Sequence, residues 1–172
     1  MSVWSRIKNL PPWRFRNMNS NKNQKGFSLV ELLVVVIIIA IVAAIAIPNL
    51  LASRRAANEA SAISSMRTIH SAEATYQATV GAGTAYGSLA QMNTAGLIDS
   101  AIGGTGGTSS KSGYDFALTT GTQIYCATAA PSTPGTTGNA YFGVETEGVI
   151  WKHTAAMTCT AGDLTPAGSP IQ

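Results

Sequence analysis

Sixteen consecutive apolar residues, Leu32 to Ile47, constrain this chain more than any other feature. Carried back to Phe27, the segment has 21 residues with one charge, Glu31, and one hydroxyl, Ser28. At about 1.5 Å per residue it forms a helix of roughly 31 Å, close to the hydrocarbon thickness of a bilayer. A backbone in lipid must satisfy its own hydrogen bonds, so the Val/Ile-rich composition does not argue for a strand. The anomaly is Glu31, which gives a plain membrane anchor nothing.

Six of the eleven basic residues (Arg6, Lys8, Arg14, Arg16, Lys22, Lys25) precede Phe27, and no acid does. From Phe27 onward five basic residues face eight acidic ones. The sequence pI near 9.0 therefore describes the tail, and it carries no nucleic-acid inference. Basic residues before the apolar run predict an N-in, C-out single pass, with the body outside the cytoplasm. Residues 1–26 read as a basic cytoplasmic leader, interrupted by Pro11-Pro12. Met18 is a second possible start, which would leave a leader of nine residues, Met18 to Gly26.

Three readings of the run compete. A stop-transfer anchor explains its length but not Glu31. A secretory signal peptide could be cut after Ala44-Ile45-Ala46, but the apolar region is long, holds a carboxylate and is followed by Pro48. In the third reading the helix packs against copies of itself. An unpaired carboxylate in such a helix costs on the order of a few kcal/mol. Cleavage after Gly26 would free the α-amino group of Phe27, about one helical turn from Glu31. In a staggered stack of parallel helices that amine can meet a neighbour's carboxylate, and the pair then fixes register as one buried polar group does in a coiled coil.

The residues "GFSLVELL", followed by the apolar run and a proline, resemble the type III signal sequence of type IV pilins and type II secretion pseudopilins. The matching positions are Gly26 before the cut, Phe27 as the new N-terminus, Glu31 and the helix-kinking Pro48. The resemblance implies cleavage between Gly26 and Phe27, and N-methylation of Phe27, by a membrane aspartic prepilin peptidase. It also implies an assembly ATPase, an inner-membrane platform and a helical polymer of the chain itself, alone or mixed with minor pilins.

After Pro48 the composition turns to Ala, Ser, Glu and Arg. Ala62, Met66, Ile69, Tyr76 and Val80 follow helical spacing. Proline should kink rather than end the helix, so one helix is predicted from about Ser28 to Thr79, stopped by Gly81 and Gly83. Residues 27–52 would be its transmembrane or filament-core part, and 53–172 the amphipathic part and head. Arg54 and Arg55 would anchor at lipid headgroups or meet Glu59 or Glu73 of a neighbour. Leu89, Met92, Leu97 and Ile98 would pin a short helix, and "GGTGGTSSKSG" (103–113) would be a surface connection. Strands are predicted at 114–120, 122–129, 140–146 and 148–155, with "APSTPGTTGN" as a loop. The fold class is α+β: a long N-terminal helix and an antiparallel sheet of three or four strands, as in a pilin head.

Cys126 and Cys159, the two cysteines, are read as one disulfide in a body outside the cytoplasm. In many type IV pilins such a bond bounds a C-terminal loop, whereas many major pseudopilins carry a calcium loop instead. Asp163 is the one acid after Glu147, so no calcium site, other metal or cofactor is predicted. His70 and His153 have no nucleophile or carboxylate pair beside them and read as surface or packing residues. Trp151, Tyr141 and Phe142 read as packing. No enzymatic activity is predicted. The expected role is a type IV pilus subunit, held in the inner membrane and then polymerised outside the cell. A type II secretion pseudopilin and a monomeric anchored or secreted binding domain are the alternatives.

Overall fold

The computed structural model describes residues 26–104, 109–160, 162–166 and 168–171. The leader up to Lys25, Met18 included, and part of the glycine-rich 103–113 segment lie outside the described residues. The chain divides between Ile41 and Val42 into two compact units.

Helix α1 runs from Leu29 to Thr79, with Pro48 inside it. It matches the predicted span to one residue, because the two halves have different but equally good reasons to be helical. The first is apolar throughout, and the second carries an apolar stripe among small and polar residues. Proline removes one backbone donor, and the helix continues past that loss. Beside it, Asn49 Nδ2 donates to the Ile45 carbonyl at 3.1 Å, and one turn on Ser53 Oγ donates to the Asn49 carbonyl at 3.0 Å. The helix ends where the amides of Gly81 and Gly83 turn back to the carbonyls of Tyr76 and Gln77. Ala82 and Gly83 both take positive φ there.

Two short helices follow, α2 (Leu89–Thr94) and α3 (Ser100–Gly103). One was expected. Ser88 and Gln91 cap α2 reciprocally, and Asp99 caps α3 through the Ile102 amide at 2.9 Å. Lys111 lies 2.7 Å from the same carboxylate and, with the amide, holds Asp99 below the usual carboxylate range.

The strands are β1 (Ser110–Lys111), β2 (Tyr114–Thr120), β3 (Tyr125–Pro131), β4 (Tyr141–Glu145), β5 (Ile150–His153), β6 (Thr158–Thr160), β7 (Asp163–Thr165) and β8 (Ser169–Ile171). Six form one sheet in the order β1-β2-β3-β4-β5-β8, antiparallel throughout, while β6 and β7 pair separately. The α+β class is as expected, and the sheet is wider than three or four strands. Both additions are edges of two or three residues with no alternation, and β8 carries Pro170, which an edge position tolerates.

Within the second unit the sheet's inner face shares one core with α1. Tyr114, Phe116, Phe142, Val144 and Ile150 meet Ala62, Met66, Ile69 and Tyr76. Val80, expected on that face, is 59% exposed because α1 has already ended at Thr79. A second cluster lies apart from the main core, built on Cys126, Met157 and Leu164 with Tyr141 and Trp151 against it. Gly143 is required beside it, since a Cβ there would stand 2.6 Å from Leu164 Cδ1. The disulfide joins Cys126 of β3 to Cys159 of β6, with Cα atoms 5.9 Å apart. It ties the β6–β7 hairpin to the sheet.

Candidate assembly interface

The predicted site residues Gly26, Phe27, Glu31 and Pro48 all fall on, or just before, the apolar part of α1. Phe27 is 80% exposed, and the large apolar side chains from Leu29 to Leu51 are exposed in turn, none covered by other described residues. Among the described residues this is the one helix long and apolar enough to cross a membrane. A continuous apolar surface of this kind is stable only in lipid or against other protein.

Glu31 lies in the first turn of α1, where a carboxylate complements the unpaired amides of a helix N-terminus. The Leu32 amide bonds the Ser28 carbonyl at 3.2 Å, so Phe27 lies just before the helix and Glu31 in its first turn. No side chain among the described residues pairs with Glu31, and it is exposed. Its partner, if it has one, must come from outside these residues. A Cβ built on Gly26 meets nothing within 4 Å. Packing among the described residues therefore does not require glycine at position 26.

Past Pro48 the helix turns its polar side chains onto the β3–β4 connection. Arg55 Nη1 donates to the Gly135 carbonyl at 3.0 Å, and Asn58 Nδ2 to the Thr137 carbonyl at 2.9 Å. Glu59 accepts from the Asn139 amide at 3.0 Å, and Lys152 Nζ stands 3.6 Å from its other oxygen. Pro48, Leu51, Arg55, Gly135 and Thr136 line a cavity of about 170 Å³ at this seam. The alternative contact with a neighbour's Glu73 needs correction, because Glu73 is fully buried, out of a neighbour's reach. Arg55 donates to a carbonyl of its own chain. Arg54 remains exposed.

The histidines differ in their partners. His153 is half-buried and bonds within its own turn, accepting from the Ala155 amide at 2.8 Å. His70 is half-buried, with Nδ1 hydrogen-bonded to the Tyr125 hydroxyl. Of the aromatics read as packing, Phe142 is in the main core, while Tyr141 and Trp151 flank the disulfide cluster. Glu73 was not anticipated as a buried group. The signal was present: Ile69 and Tyr76 are seven apart, and Glu73 occupies the helical position between them.

Comparison with known proteins agrees with the N-terminal motif. The family model for the prokaryotic N-terminal methylation motif matches residues 21–47. The type IV wide pilus major component PilA4 of Thermus thermophilus is 53% identical over 38 residues, which are 22% of this chain and 29% of that protein. The similarity thus spans under a third of the relative's length, and no solved structure matches the chain.

Proposed function

We propose that this chain, whose N-terminal segment is similar to that of a type IV pilin, is a structural subunit of an extracellular type IV pilus. The observation that carries this reading is the uncovered apolar face of α1 with a single carboxylate at its start. In this account the subunit waits in the inner membrane, N-in and C-out. A prepilin peptidase removes residues 1–26, and Phe27 becomes a methylated N-terminus. Residues 27–52 then leave lipid for the filament core, and 53–172 form the exposed part. The charged amine of Phe27 pairs with Glu31 of a neighbouring copy. That pairing removes the penalty of a lone carboxylate in an apolar packing and sets the axial stagger. Pro48 supplies the kink that lets the two halves of α1 take different directions. An assembly ATPase and a membrane platform drive the transfer.

The Cys126–Cys159 bond suits an oxidising compartment, which pilus and pseudopilus share. It inclines the reading to a pilus because such a bond bounds a C-terminal loop in many type IV pilins, whereas many major pseudopilins carry a calcium loop instead. Mass spectrometry of the chain in a sheared cell-surface fraction tests the reading. A product starting at N-methylated Phe27 and abundant there supports it; a product retaining its leader, or starting near Ile47, overturns it. Gly26→Ile should abolish this shortening. Because a Cβ at position 26 meets no clash among the described residues, the loss would belong to the peptidase step. Normal shortening of Gly26→Ile would contradict it.

A further inference from the structure

Glu73 is the one fully buried acid among the described residues, and the filament account makes no use of it. It lies on α1 between Ile69 and Tyr76, facing the connection to α2. Its Oε2 accepts from the Gly87 amide at 2.9 Å, while Oε1 is buried with no partner. The close approach is deliberate in the local sequence: a Cβ on Gly87 would stand 2.9 Å from the Tyr76 ring, so only glycine brings this amide down to the carboxyl. The groups around it are known from each packed element. His70 and Tyr76 come from α1, Tyr86 from the connection and Tyr125 from β3. The Tyr125 hydroxyl is taken by His70, and the Tyr86 ring lies edge-on to Tyr125 with centroids 4.8 Å apart. None of these side chains hydrogen-bonds Glu73, and no cation pairs with it among the described residues.

We propose that Glu73 is a proton-operated latch on the connection between α1 and α2: in its neutral form it holds residues 80–88 against the helix, and in its ionised form it releases them. A neutral carboxyl is tolerable in a tyrosine-lined site with one amide donor. A carboxylate there lacks most of the donors that water would supply. Opening the connection is the least disruptive way to hydrate it, because the Gly87 contact is lost without breaking any strand. The connection is suited to this, with positive φ at Ala82 and Gly83 and exposed side chains from Ala82 to Ala85. Burial agrees with the geometry, pushing the Glu73 carboxyl up from 4.5 to about 7, with the Gly87 amide opposing. The direction follows by linkage. An opened site holds its proton less tightly than the closed one, so rising pH favours opening from about 4.5 until the closed form itself ionises near 7, and the effect is level above that.

Amide hydrogen exchange of the full chain in detergent micelles tests this, with intrinsic rates corrected for pH. Protection of the Gly87 amide and its neighbours in 82–88 should fall by tenfold or more between pH 5.5 and pH 8.5, while amides of β2, β3 and β4 keep theirs. Glu73→Gln should remove that pH dependence. His70→Asn should retain it, which separates the carboxyl from the histidine beside Tyr125. Equal protection of Gly87 at the two pH values overturns the latch, as does an undiminished fall in Glu73→Gln or loss of the fall in His70→Asn. Should Glu73→Gln not fold, the carboxyl carbon resonance of Glu73 in the unaltered chain decides. Its titration midpoint must coincide with the pH at which protection stops falling, and a gap of more than one pH unit between the two refutes the proposal. The outcome is independent of whether the chain forms pili.

Discussion

The two halves of α1 share one secondary structure and almost nothing else. From Leu29 to Leu51 the large side chains are exposed. From Ala62 to Tyr76 every third or fourth residue is buried against the sheet. The first half must find its packing outside the described chain, whereas the second finds it within. Each half carries one acid that breaks an apolar pattern. Glu31 does so conspicuously, inside an unbroken run, and is exposed. Glu73 does so quietly, among alanines and serines, and is fully buried. A carboxylate's role is therefore set by what covers it, and in the first half any cover must come from outside the described residues.

That contrast can be broken by substitution. Met66→Ala removes a side chain with no exposed surface and should destabilise the head by about 2–5 kcal/mol. Ile38→Ala, 55% exposed in the free chain, should leave the head's unfolding midpoint unchanged while weakening filaments. Denaturant unfolding followed by tyrosine and tryptophan fluorescence separates the two. Equal losses of head stability would erase the distinction between the halves.

Replacing Cys126 and Cys159 by serine should lower stability by roughly 3–4 kcal/mol, because the bond closes a loop of 33 residues' separation in the unfolded chain. The loss should appear in the β6–β7 hairpin first, as earlier exchange of its amides. Uniform loosening of α1 as well would show that the hairpin is not a separable layer.

The smallest effect concerns Glu73. Its raised pKa means that the folded head binds this proton more tightly than the unfolded chain. Stability should therefore decline as pH rises from about 4.5 to about 7, by up to about 3 kcal/mol, and stay level beyond that. Glu73→Gln should remove this decline. Thermal melts across that range check it, and a stability that rises with pH in the same window would contradict the burial argument.

The sequence pattern was most legible where one physical demand dominated. Tyr114, Phe116 and Leu118 alternate, and β2 spans the predicted 114–120. The next strand starts three residues later than expected, at Tyr125, because Gly121 to Ile124 form the turn: Gln123 takes a positive φ, and the Gly121 amide bonds the Ile124 carbonyl at 2.8 Å. Nothing in "GTQI" favours Gln over Gly for that conformation, so the turn could not be placed beforehand. The edge strands β1 and β8 exist only because a neighbour is present to pair with them. Of the interface, Gly26, Phe27, Glu31 and Pro48 stood out because each violates, or punctuates, a simple apolar run. The contacts of Arg55, Asn58 and Glu59 with residues 135–139 did not. They join positions about 80 apart through backbone groups, which leave no mark in side-chain pattern.

The most direct test of the account is Glu31→Ala, followed by two assays on the same cells: membrane fractionation of the chain, and electron microscopy of sheared surface filaments. The account predicts normal membrane insertion with filaments lost, and their return in Glu31→Asp to a reduced degree. Normal filaments from Glu31→Ala would contradict the register role and leave the apolar half of α1 as an anchor only.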